Sequence, residues 1–83
     1  MTRVLIVEDD ASLVLGLTSA LVNEGYEVEV ARTGPEGLKL ALEGHADLIL
    51  LDLMLPGMSG FEICKRIRDH HLKSKIIMLT SRS

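Results

Sequence analysis

The sequence has a single cysteine, Cys64, no block of basic charge, and no run approaching the roughly 20 apolar residues that a membrane-spanning helix needs. Each lack excludes something. One thiol cannot close an internal disulfide, and no His-Cys cluster is present to prefer zinc. Nine basic residues against twelve acidic ones leave a net charge of -3, and the basic ones are spread along the chain, so direct nucleic-acid contact is not expected. Met1 to Arg3 lead straight into a short strand-like run, without the longer apolar region and small-residue cleavage site of a secretory signal. A reducing cytoplasm is the expected setting, with no membrane partner.

What is present reads as one small globular domain spanning residues 1–83, with 47% hydrophobic and 25% charged residues. No repeat, low-complexity tract or Pro/Ser-rich linker divides it. A chain this short buries only roughly 60 to 65% of the surface its unfolded form exposes, so marginal stability is expected.

The first apolar run, Val4 to Val7, is continuous and rich in β-branched residues, as in a strand covered on both faces. From Ala11 to Glu24, Leu13, Leu17 and Leu21 recur at helical spacing, with Asp10 where an N-cap is wanted and Gly25 at the stop. Val14, Leu15 and Val22 widen that helix's expected core stripe. Glu27 to Val30 alternates polar and apolar residues, the pattern of an edge strand. Thr33, followed three residues later by Glu36, has capping-box spacing for a second helix whose Leu38, Ala41 and Leu42 share a face up to Gly44. Asp47 to Asp52 is another continuous run and should form a central strand. Ser59 and Glu62 repeat the capping spacing and start a third helix, with Phe61, Cys64 and Ile67 as its expected buried stripe. Ile76 to Leu79 forms a fourth strand. Strands alternating with helices imply right-handed crossovers and a parallel sheet covered by helices on both faces.

Such a sheet collects ligands at the carboxyl ends of its strands. Glu8 and Asp9 follow the first strand, Asp52 ends the third and Thr80 ends the fourth, so the topology brings all four to one rim. Like charges sharing a pocket oppose one another's ionisation unless a cation offsets them. All-oxygen ligands favour Mg2+ or Mn2+. With such a cation in place, one carboxylate could attack phosphorus and become an acyl phosphate, and the Thr80 hydroxyl could hydrogen-bond the product. Cys64 is expected to pack as a small core residue, the side chains of Met54 and Met58 to pack, and His45, His70 and His71 to stay solvated without ligand roles.

Val7-Glu8-Asp9-Asp10, the stretch from Leu50 through Asp52 and Pro56-Gly57 to Gly60, and Met78-Leu79-Thr80-Ser81 resemble the receiver domain of two-component response regulators. The likeness covers the whole chain and is greatest to receivers that precede a winged-helix DNA-binding domain and regulate transcription. It implies a flavodoxin-like α/β fold, β1-α1-β2-α2-β3-α3-β4, with strand order 2-1-3-4. It also implies that Asp52 is the phosphoacceptor, that Asp9 and Asp52 bind Mg2+ directly with the backbone carbonyl of Met54, and that Glu8 assists through water. Thr80 would be the switch hydroxyl, and a sensor histidine kinase the phosphodonor. The role implied is a signalling phosphoprotein rather than a dedicated enzyme.

An intact receiver continues with a fourth helix, a fifth strand ending in a phosphate-binding lysine, and a fifth helix. Residues 1–83 therefore match its N-terminal part, and Lys39, Lys65, Lys73 and Lys75 do not match that lysine's place. The expectation is slow, weakly coupled phosphorylation. Ile76 to Leu79 would be an exposed edge, so the alternative is a self-associating fragment, dimeric or domain-swapped, without phosphotransfer. A metal-dependent aspartyl-phosphate phosphatase would want a second Asp two residues after Asp52, where Met54 stands.

Overall fold

In the computed structural model of the protein, which describes residues 1–70 and 72–79, seven elements alternate along the chain. They are β1 (Arg3–Val7), α1 (Ala11–Asn23), β2 (Glu27–Ala31), α2 (Gly34–Leu42), β3 (Leu48–Asp52), α3 (Gly60–Asp69) and β4 (Lys75–Leu79). The four strands pair in parallel, in the order β2-β1-β3-β4. β2 lies at an edge and β3 is interior, as the alternating and continuous apolar patterns respectively require.

Strand periodicity divides the core in two. Leu5, Val7, Ile49 and Leu51 point to one face and pack with Leu38 and Ala41 of α2 and Ile63 and Ile67 of α3. Val4, Ile6 and Leu50 point to the other, against Val14, Leu17 and Leu21 of α1. The registers Ile6 to Val30 and Ile6 to Leu50 keep each strand's apolar set on its own face, since a slip of one residue would exchange the faces. Burying an Ile or Leu side chain contributes roughly 1.5 to 3 kcal/mol, and the α2–α3 face has most of the fully buried ones.

The caps fall where expected. Asp10 Oδ1 accepts the Leu13 N–H at 3.1 Å, Thr33 Oγ1 that of Glu36 at 3.3 Å, and Ser59 Oγ that of Glu62 at 3.2 Å. The reciprocal half of each capping box is rerouted. Glu36 Oε1 takes the N–H of Arg32, one residue before the cap, and Glu62 pairs with Arg66 at 3.0 Å.

Three packing expectations are corrected. Phe61 is 68% exposed, because Gly60 is seated on the end of β3 and sets the helix phase, which turns Ile63 and Ile67 inward. Leu15 and Val22 of α1 face outward, so that helix buries a narrower stripe than its composition allows. Met54 is also exposed, on the outer side of its loop, whereas Met58 and Cys64 pack against the core.

Candidate functional site

The carboxyl ends of β1, β2 and β3 feed three loops that are joined by backbone hydrogen bonds. The Glu8 N–H donates to the Ala31 carbonyl at 3.0 Å, and the Gly34 N–H to the Pro56 carbonyl at 3.1 Å. The Leu53 N–H donates to the Leu79 carbonyl at 3.2 Å, which ties the loop after β3 to the end of β4. Gly57, at φ 84, makes the left-handed turn in that loop. Gly60 closes the loop by close approach: a Cβ there would meet the Asp52 carbonyl oxygen at 2.5 Å and the Leu53 Cα at 2.9 Å, and neither backbone atom can give way cheaply.

This frame converges Glu8, Asp9 and Asp52, whose ligand-type oxygens all lie within 4.8 Å of one another. Glu8 and Asp52 are 1% and 2% exposed, whereas Asp9 opens to solvent. Glu8 Oε2 accepts the Asp10 N–H at 3.0 Å, and Asp52 Oδ1 accepts the Met54 N–H at 3.3 Å. Glu8 Oε1 is buried without a hydrogen-bond partner, a costly arrangement for a carboxylate. Burial pushes the Glu8 carboxyl above the ordinary glutamate value, and the neighbouring Asp52 charge pushes it further the same way.

No lysine, arginine or histidine lies within ion-pairing distance of these three carboxylates among the described residues. An orphaned buried oxygen in an all-oxygen donor set fits a hard divalent cation. Of the residues singled out from the sequence, Glu8, Asp9 and Asp52 come together, and the Met54 group that meets the cluster is its N–H, bonded to Asp52 Oδ1, rather than the carbonyl expected from the resemblance. Thr80 lies outside the described residues. Sequence reasoning missed Arg32, whose Nη2 donates to the Asp9 carbonyl at 2.8 Å. Its position just after β2 places it on the same rim, which was the available signal.

Residues 4–83 match the family of the response regulator receiver domain. The chain is 43% identical over 81 residues to the transcriptional regulatory protein DltR of Streptococcus agalactiae, covering 98% of this chain and 36% of DltR. It is 45% identical over 83 residues to the response regulator ArlR of Staphylococcus aureus, covering 100% of this chain and 37% of ArlR. It thus spans little more than a third of these curated relatives. Among solved structures, the response regulator TrrA from Thermotoga maritima in complex with Mg(2+)-BeF superimposes with a TM-score of 0.91 at 41% identity, over 100% of this chain and 72% of that one. TrrA has also been solved in complex with the histidine kinase ThkA, where the likeness gives a TM-score of 0.89 over the same shares.

The chain belongs to the response-regulator receiver domain family. Its relatives are named as response regulators and transcriptional regulatory proteins, and no helix among the described residues is long and apolar enough to cross a membrane.

Proposed function

We propose that this domain is a phosphoacceptor module in which Asp52 takes a phosphoryl group from the phosphohistidine of a sensor histidine kinase. The observation that carries this reading is the convergence of Asp52 with Glu8 and Asp9 at the carboxyl rim, with one buried Glu8 oxygen left without a partner. Glu8, Asp9, Asp52 and the Met54 backbone carbonyl would hold Mg2+, which when bound supplies positive charge to offset that of the transferring phosphoryl oxygens. An Asp52 carboxylate oxygen forms the new bond to phosphorus as the nitrogen–phosphorus bond of the donor breaks. The bonding pair leaves on the imidazole nitrogen, which takes up a proton from solvent. Near-complete burial keeps water from the acceptor, and the Met54 N–H orients it through Oδ1. Thr80 follows β4 directly in sequence and is proposed as the switch hydroxyl for the product.

The test is intact mass after incubation with acetyl phosphate and Mg2+. The expected product gains one phosphoryl group, and Asp52→Asn and chelation each abolish the gain. A gain that survives Asp52→Asn would place the acceptor elsewhere and refute the assignment.

A second reading is self-association of this 83-residue chain, favoured by the exposure of Ile77 on β4 (51%) and of Leu15 and Val22 on α1. Light scattering with and without Mg2+ and acetyl phosphate separates the two. A stable dimer indifferent to both additions supports self-association, whereas a monomer that gains the phosphoryl group supports the first reading.

A further inference from the structure

We infer that Arg32 is a positioning residue for the acidic pocket, gripping the peptide between Asp9 and Asp10 so that Glu8 and Asp9 keep their places at the site. The inference rests on the metal-site reading above and adds a residue that the reading does not include.

The geometry is a chain of three groups. Arg32 Nη2 donates to the Asp9 carbonyl at 2.8 Å, and the N–H of that same peptide unit, belonging to Asp10, donates to Glu8 Oε2 at 3.0 Å. Guanidinium, peptide and carboxylate are therefore in series, with an ionisable group at each end. Charge-assisted hydrogen bonds are the stronger ones, and bonds in series polarise one another. The peptide is held at both its oxygen and its nitrogen, which resists the rotation that would swing Asp9 out of the cluster.

Asp9 needs such a hold from its backbone. Its carboxylate is exposed and accepts no hydrogen bond among the described residues, whereas Asp10 caps α1 through Leu13 and Glu8 is fixed through the Asp10 N–H. Arg32 is itself anchored, because its backbone N–H donates to Glu36 Oε1 at 3.0 Å in the first turn of α2. One residue earlier, the Ala31 carbonyl takes the Glu8 N–H. The loops after β1 and β2 are thus joined first by backbone and then by one side chain, that of Arg32. Arg32 forms no ion pair with a carboxylate among the described residues, so its donors are not drawn away from the peptide.

The test uses the full chain as wild type, Arg32→Ala and Arg32→Lys. The readouts are calorimetric Mg2+ titration and amide hydrogen exchange at Asp10 and Leu13. Arg32→Ala should weaken Mg2+ binding about tenfold, as loss of a group that orients a metal ligand does, and Arg32→Lys, which keeps a cationic donor, should restore most of it. The Asp10 amide in Arg32→Ala should exchange roughly threefold faster or more, while the Leu13 amide, held by the Asp10 cap, keeps its rate. Mg2+ affinity within twofold of wild type in Arg32→Ala, or a lysine variant as weak as the alanine one, would overturn the inference. If the wild-type chain binds no Mg2+, the metal reading fails by itself and the exchange arm decides. Faster Asp10 exchange in Arg32→Ala then upholds the brace, and an unchanged rate removes it.

Discussion

The two rims of the sheet spend their charges differently. At the amino rim, Arg3 Nε meets Glu27 Oε1 at 2.8 Å, and the Asp47 carboxylate accepts the Arg3 N–H at 2.9 Å while the Asp47 N–H returns to the Arg3 carbonyl at 2.8 Å. Both of these carboxylates have a donor and stay wet. At the carboxyl rim, three carboxylates converge, two are buried, and one oxygen has no partner. The same sheet builds both rims, so the difference lies in the side chains, and only the second arrangement opposes folding unless something binds. A cavity of about 400 Å3 lined by Arg3, Tyr26, Glu27 and His45 opens at the paired rim. Concavity and unpaired buried charge therefore separate in this molecule, and the proposed site follows the charge rather than the volume.

The contrast between the rims depends most on the loop that carries Asp52. Gly60→Ala puts a methyl group against backbone of Asp52 and Leu53, and should destabilise the fold by about 2 to 3 kcal/mol, a fall in Tm of roughly 10 to 20 °C in a thermal melt. An unchanged Tm would mean that the loop can shift freely and does not fix Asp52. Comparable in size is the effect expected of adding Mg2+. At about 100 times its Kd, Mg2+ should stabilise the chain by roughly 2.7 kcal/mol. That gain should disappear in Asp52→Asn and persist in Arg3→Ala. A gain of equal size in both variants would mean that the cation does not distinguish the rims.

Next in size is the pH response of the metal-free chain. Burial and then Asp52 raise the folded pKa of Glu8 above its unfolded value, so the folded state holds this proton more tightly. Its contribution to stability is therefore fully present below the ordinary glutamate range and is lost as pH rises through the raised folded value. Glu8→Gln should raise the Tm in chelator at neutral pH by about 5 °C and flatten the decline with rising pH, because a neutral group replaces an unpartnered buried charge. A lower Tm for Glu8→Gln at neutral pH would contradict the strain ascribed to that oxygen.

Element order, sheet topology and the cluster of Glu8, Asp9 and Asp52 were legible because each rests on a long-range regularity. Continuous runs at Val4–Val7 and Leu48–Asp52 make interior strands, alternation at Glu27–Val30 makes an edge, and residues that end parallel strands share a rim. The phase of α3 was not legible. Phe61 carries the largest apolar side chain of that helix, and a stripe through Phe61, Cys64 and Ile67 is as regular as one through Ile63 and Ile67, yet only Cys64 and Ile67 of the first pack inward. What decides between them is a contact between Gly60 and the end of β3, which periodicity does not encode. Leu15 and Val22 mislead similarly, since apolar residues around a helix do not say which side meets the sheet. Arg32 was overlooked because its partner is a backbone carbonyl, and a carbonyl leaves no trace in residue identity.

The smallest effect belongs to the rim whose charges are already satisfied. Arg3 and Glu27 are 53% and 49% exposed, so their attraction is screened and offset by the entropy of ordering two long side chains. Arg3→Ala should cost no more than about 0.5 kcal/mol, roughly 2 to 4 °C in Tm, because the bonds with Asp47 use the backbone of residue 3 and survive the substitution. Raising the salt concentration should shrink even that difference, whereas high salt leaves the penalty at buried Glu8 largely in place, since a charge out of contact with water is poorly screened. Melts of Arg3→Ala and Glu8→Gln at low and high salt in chelator would show the first converging on wild type while the second keeps its offset. If both converge, the Glu8 carboxylate is reached by solvent, and the contrast between a paired rim and a strained one is lost.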